Sequence, residues 1–136
     1  MGLLSLIDAT TLARKNNNVA RILNNMLNHC DIKREVYIPP TTTFSHGGHG
    51  VVIGGGVKIG DNVTIYQGTT IGTKISKGYP TIGNDVTIFP LCVIVGDIKI
   101  GDNSIIGACT YVDQDIPPNS VVYNKKELVI KNKRGG

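Results

Sequence analysis

The chain has 136 residues, 40% of them hydrophobic, and a formal net charge of +4. That length suits one domain with a sizeable core. The basic excess gathers in Lys125, Lys126, Lys131, Lys133 and Arg134 without interleaved aromatics, so it does not read as a nucleic-acid surface.

Three cysteines, Cys30, Cys92 and Cys109, form no CxxC pair. With no evident signal peptide or apolar span, they point to a reducing, cytoplasmic setting and to no membrane insertion. In chain order, two helices are expected first, over residues 3–15 and 17–30. In the second, Val19, Ile22, Leu23, Met26 and Leu27 share one apolar face at helical spacing. Asn16–Asn18 supplies the break between them. Residues 1–30 are therefore expected to form a helical cap, its apolar face covering the open first coil of a repeat structure.

From residue 32 onward the sequence keeps a beat of six. Ile32, Ile38 and Phe44 begin it; Ile53, Ile59, Ile65 and Ile71 continue it; Ile82, Ile88, Ile94, Ile100, Ile106 and Val112 complete it. Neither a 3.6-residue helix nor a flat alternating strand sustains that period. A β-solenoid of hexapeptide repeats does. Two residues before each beat sits a small or β-branched residue, such as Val51, Val63, Cys92 or Ser104, which alternation along a strand also turns inward. Gly and then Asp or Asn come after the beat in IGDNVT, IGNDVT and IGDNSI, where turns need permissive residues. The solenoid is expected over residues 31–122, and a basic tail over 123–136.

Two stretches break the beat. SHGGHG (Ser45–Gly50) lies between Phe44 and Ile53, nine apart, and TKISKGY (Thr73–Tyr79) between Ile71 and Ile82, eleven apart. Loops leaving a rigid repeat are favoured sites of function. In the first, glycines leave His46 and His49 open, and His is the usual general base near neutrality. Asp31 stands fifteen residues before His46, nearly one turn of the solenoid, where it could orient an imidazole. Metal binding is the competing chemistry. His29, His46 and His49 do not supply the three or four convergent ligands a zinc site requires, so no metal is expected.

The run from Asp31 to Pro118 resembles the serine acetyltransferase-like branch of the left-handed β-helix hexapeptide acyltransferases. The residues that carry the resemblance are Asp31-Ile32, His46-Gly47-Gly48, GVVI at 50–53, QGTTIG at 67–72, Tyr79-Pro80-Thr81-Ile82 and DIP at 115–117. It implies a left-handed parallel β-helix and acetyl transfer from acetyl-CoA to an alcohol, without a metal. His46 would be the general base and Asp31 its carboxylate partner. His49 and Tyr79 are second candidates for catalysis or acceptor binding. The resemblance also implies a homotrimer with CoA in the groove between prisms. By position Gly72, Thr73 and Ala108 would touch it, and Lys125 and Lys126 would approach its phosphates. Tyr79 stands where serine acetyltransferases carry a second active-site His, which tilts the acceptor toward a saccharide or polysaccharide precursor ahead of free serine. The ending KNKRGG lacks the terminal Ile with which the family binds cysteine synthase, so no such complex is expected. The alternative class is a non-catalytic hexapeptide trimer acting as a scaffold or binding module.

Overall fold

A computed structural model describes residues 12, 15–75 and 77–133. The expected first helix lies outside these residues, apart from Leu12, which is helical and buried, and Lys15. Helix α1 spans Asn18–Leu27; the Asn17 side chain caps it, accepting from the Ala20 amide at 2.8 Å. Short strands come next among the described residues: β1 (Asp31–Ile32), β2 (Thr43–Phe44), β3 (Val52–Ile53), β4 (Lys58–Ile59), β5 (Thr64–Ile65), β6 (Thr70–Gly72) and β7 (Thr81–Ile82). The series closes with β8 (Thr87–Ile88), β9 (Val93–Val95), β10 (Lys99–Ile100), β11 (Ile105–Ile106), β12 (Tyr111–Val112) and β13 (Val121–Val122).

These strands make the three faces of a left-handed parallel β-helix. The first face stacks β1-β3-β6-β9-β12, the second β4-β7-β10, and the third β13-β11-β8-β5-β2. All pairings are parallel. The regular register is eighteen residues, as in Val52 opposite Thr70 and Thr81 opposite Lys99. Asp31 pairs with Val52, twenty-one on, because SHGGHG adds three residues. Thr64 pairs with Thr87, twenty-three on, because TKISKGY adds five. Both insertions leave every beat residue facing inward. Ile32, Ile53, Ile71 and Ile94 are fully buried in one column, and Ile65, Ile88 and Ile106 in another. Ile59 is the exception, only partly buried. The second inward positions, Val51 through Thr110, are buried as expected.

Between the second and third faces each coil after the first turns through a left-handed residue: Asn62, Asp85, Asn103 and Asn119, with φ of 57° to 59°. Asn and Asp tolerate that conformation. Their side chains also join coil to coil, as in Asn62 Nδ2 to Asp85 Oδ1 at 2.6 Å and Asn103 Nδ2 to Asn119 Oδ1 at 2.8 Å.

The cap differs from expectation in one respect. Helix α1 turns its polar side to the solenoid: Arg21 and Asn24 are buried, while the apolar face faces outward. The physical reason is that the first coil ends in unpaired backbone groups. The Asn25 amide donates to Ile32 O and accepts from Ile32 N, doing the work of a neighbouring strand. Asn16 does the same for Ile38. Arg21 donates to the carbonyls of Lys33 and Val36, and burial lowers its pKa. The tail differs too. Val121–Lys133 is expected to run back along the prism as an irregular strand; Val121–Val122 does pair as β13, while residues 123–133 are exposed and form no strand.

The cap yields two expected outcomes. Asn25→Leu keeps the volume but strands two backbone groups at Ile32, and should destabilise by about 1–3 kcal/mol in urea unfolding. Cys30, at the end of the cap, is held protonated by burial, its pKa raised to about 11 from 9.0. A folded-state pKa above the unfolded one gives stability that is intact below about pH 9 and lost as pH rises toward 11. Cys30→Ala should therefore flatten the fall of the urea midpoint over that alkaline window.

Candidate active site

The first interruption forms a tight turn over Ser45–Gly48 at the corner where the third face gives way to the first. It is left-handed: φ is 54° at His46, 67° at Gly47 and 68° at Gly48. Glycine adopts that region freely, whereas His46 is held there at a cost of roughly 1–2 kcal/mol. The turn lifts the His46 ring out of the repeat and leaves the residue exposed.

Beneath His46 runs a column of rings that inspection of the repeat alone did not single out. The His46 and Tyr66 centroids lie 6.2 Å apart, and Tyr66 stacks on Phe89 at 5.0 Å. Both aromatics stand one residue after an inward isoleucine of the third face, so the register could have found them. Gln67 adjoins Tyr66, and its Oε1 is buried without a hydrogen-bond partner among the described residues. His49 turns instead to His29, edge to face at 5.4 Å. Among the described residues no group of three His, Cys, Asp or Glu side chains is placed to hold a metal ion.

Asp31 heads the outward row of the first face, above Val52, Thr70, Val93 and Tyr111. No hydrogen bond joins it to His46. Its carboxylate pairs with Lys33 at 3.0 Å, both side chains about half exposed. Such a surface pair is worth at most about 1 kcal/mol and exchanges readily.

The second interruption drapes over the opposite edge of the same face. Lys74 reaches down to Asp113 at 2.6 Å, and that hydrogen bond raises its pKa. Gly78, at φ +70°, lies against Asp97. Tyr79 then lies flat on the GGG turn of the second coil. A Cβ on Gly54 would come within 2.6 Å of its ring, and one on Gly56 would collide with it. Gly54 and Gly56 are thus a seat for the tyrosine, while Gly55 lies against Glu35.

The candidate residues therefore divide. His46, His49 and Ala108 lie on the entry edge of the first face, and the exposed Lys125 and Lys126 come after β13 beyond Tyr123, which touches Gly107 on that edge. Gly72, Thr73 and Tyr79 lie on its exit edge, and the space beside Gly72 is open, with nothing within 4 Å of an added Cβ. Asp31 stands at the top between the two groups. Within one chain the structure does not bring the two edges together.

Comparison with known proteins agrees with the repeat. The family described as bacterial transferase hexapeptide (six repeats) matches residues 79–114. A Staphylococcus aureus serine acetyltransferase is 43% identical over 91 residues, covering 65% of this chain and 43% of its own length. A Mycobacterium tuberculosis serine acetyltransferase is 38% identical over 125 residues, 90% of this chain and 52% of its own. Among solved structures, Neisseria gonorrhoeae serine acetyltransferase in complex with serine superposes with a TM-score of 0.74 at 29% identity, over 86% of this chain and 53% of that one. A serine acetyltransferase in complex with CoA gives 0.67 at 25% identity, over 75% and 42%. This chain is a hexapeptide-repeat protein with the left-handed β-helix fold. Within that class it is serine acetyltransferase-like, and it spans about half the length of the relatives it matches.

The two glycine positions should respond differently to alanine. Gly47→Ala forces a side chain into φ +67° and should cost about 1–2 kcal/mol in urea unfolding. Gly72→Ala meets open space outside the left-handed region, and its unfolding midpoint should match the native one.

Proposed function

We propose that the protein is an acetyl-CoA-dependent O-acetyltransferase acting on a small hydroxylated acceptor. The observation that carries the reading is the match to a serine acetyltransferase across nine-tenths of the chain. In this reading His46 takes the proton of the acceptor hydroxyl as the oxygen attacks the thioester carbonyl. The tetrahedral intermediate collapses, the acetyl ester forms, and the CoA thiolate leaves and recovers the proton from His46. Asp31 exchanges its surface pair with Lys33 for the imidazole, fixing the tautomer and favouring the charged form. Backbone amides of the coils stabilise the developing oxyanion.

A homotrimer completes the site. The His46 edge and the Tyr79 edge lie on opposite sides of one face, and apposing neighbouring prisms supplies both to one groove. CoA lies in that groove, against Gly72, Thr73 and Ala108, with Lys125 and Lys126 toward its phosphates. The three unpaired cysteines support a cytoplasmic setting.

The relatives draw the acceptor toward serine, since both curated relatives are serine acetyltransferases. The specific observation in favour of a saccharide is Tyr79, a phenol seated at the exit edge. Acetyl transfer to serine and to a panel of sugars and nucleotide sugars decides between them. If a saccharide is the acceptor, Tyr79→Phe should raise KM for it. His46→Ala should lower kcat by about 10²–10⁴, and Asp31→Asn should lower it as well, while His49→Ala stays within a few-fold of native. Loss of activity in His49→Ala with His46→Ala unaffected would move the base to His49. Absence of transfer to every acceptor would favour the scaffold alternative.

A further inference from the structure

The net charge of the chain sits in one place. Nine cations and nine acids cancel over residues 1–122. The whole of the +4 therefore belongs to residues 123–136, where Lys125, Lys126, Lys131, Lys133 and Arg134 outnumber the single acid Glu127. Inside this cationic run stand three consecutive aliphatic residues, and the fold gives them no cover. Leu128 and Ile130 are 90% exposed and Val129 is 73% exposed. The segment is tied to the solenoid at its start, where Asn124 Nδ2 donates to Cys109 O at 2.9 Å, and every residue from 125 to 133 is exposed.

We infer that this tail is a peripheral membrane contact, laying Leu128, Val129 and Ile130 into the headgroup boundary of an anionic lipid leaflet between two pairs of cations. Both halves of the segment then find a complement: aliphatic side chains leave water, and the flanking ammonium groups meet lipid phosphates. Nucleic acid would satisfy the cations alone, since the run beyond Tyr123 holds no aromatic residue to stack on bases. The tail of a second copy carries the same +4 and repels it, and the rest of a second copy carries no net charge to attract it. The contact lies on the leaflet and does not span it, for no helix among the described residues is long and apolar enough to cross a membrane. Each Lys near an anionic leaflet tightens binding about five-fold, so four or five of them with three aliphatics give reversible attachment. The inference stands apart from the acetyl-transfer reading and uses no activity measurement.

Co-sedimentation of the full native chain with vesicles tests it. One set of vesicles is an equal mixture of phosphatidylglycerol and phosphatidylcholine, and the other is phosphatidylcholine alone. The native chain should sediment with the anionic set, stay in solution with the neutral one, and be released as salt screens the charges. Lys131→Gln with Lys133→Gln should weaken binding by about 30-fold, leaving Lys125 and Lys126 in place. Leu128→Ser with Ile130→Ser keeps every charge and should weaken it as well, which adsorption through charge alone would not show. All four side chains are exposed, and circular dichroism checks that both variants fold. In a Cys109→Ser background, a solvent-sensitive dye on Val129→Cys should shift to the blue with anionic vesicles, while the same dye on Lys58→Cys, on the second face, should not. Equal partition onto both sets of vesicles, or anionic binding that neither double variant weakens, would overturn the inference. So would a native chain that ignores vesicles yet binds single-stranded RNA through Lys131 and Lys133, or whose dye at position 129 is already buried, without lipid, against a second copy.

Discussion

The molecule depends on coil sitting on coil. Each coil passes its backbone hydrogen bonds to the next through parallel ladders, and each inward isoleucine rests on the one below it. Neither half of that arrangement tolerates a slip. A shift of one residue would turn a buried isoleucine outward and a polar residue in. The chain can depart from the repeat only where no ladder passes, at the corners. Both departures obey this: three extra residues at one edge of the first face and five at the other, with the strands beyond them back in register. A stiff wall with two irregular edges is therefore a consequence of the stacking, and the irregular edges hold the side chains with chemical potential.

A stack has ends, and the first coil shows what an end requires. Its beat residues are already buried; the groups left over are amides and carbonyls. Asparagine and arginine side chains meet that need better than leucine would, since an unpaired buried backbone group costs about as much as a lost hydrogen bond. Hence the helix is inverted, with Asn16, Arg21 and Asn25 on the solenoid and Leu23 and Met26 in solvent. The assumption that an apolar helix face covers the first coil fails here because the edge of a parallel sheet is polar.

The fold was legible because its signal is additive over many residues. Ten or more positions in phase leave little freedom, and the Asp and Asn after the beat read correctly as turn residues, one of each pair being left-handed. The cap was legible as a helix but not in orientation, because amphipathic spacing says which residues share a face and nothing about where that face points. The site was legible in part. His46 stood out because its turn breaks the beat; the glycines around it, read as room, adopt the left-handed backbone the turn requires. The Asp31–Lys33 pair, the Tyr66–Phe89 column and the seat of Tyr79 on Gly54 and Gly56 join residues on different coils or across a strand. Sequence distance hides such contacts until the register, with its three- and five-residue insertions, is known.

The central claim is that the solenoid is a rigid wall that binds acetyl-CoA and presents His46 to an acceptor, as opposed to a passive spacer. Calorimetric titration of the full native chain with acetyl-CoA tests that most directly. The predicted result is saturable binding at one acetyl-CoA per chain, and a melting temperature that rises with ligand concentration as linkage requires. No heat of binding and no rise in melting temperature at saturating acetyl-CoA would contradict it.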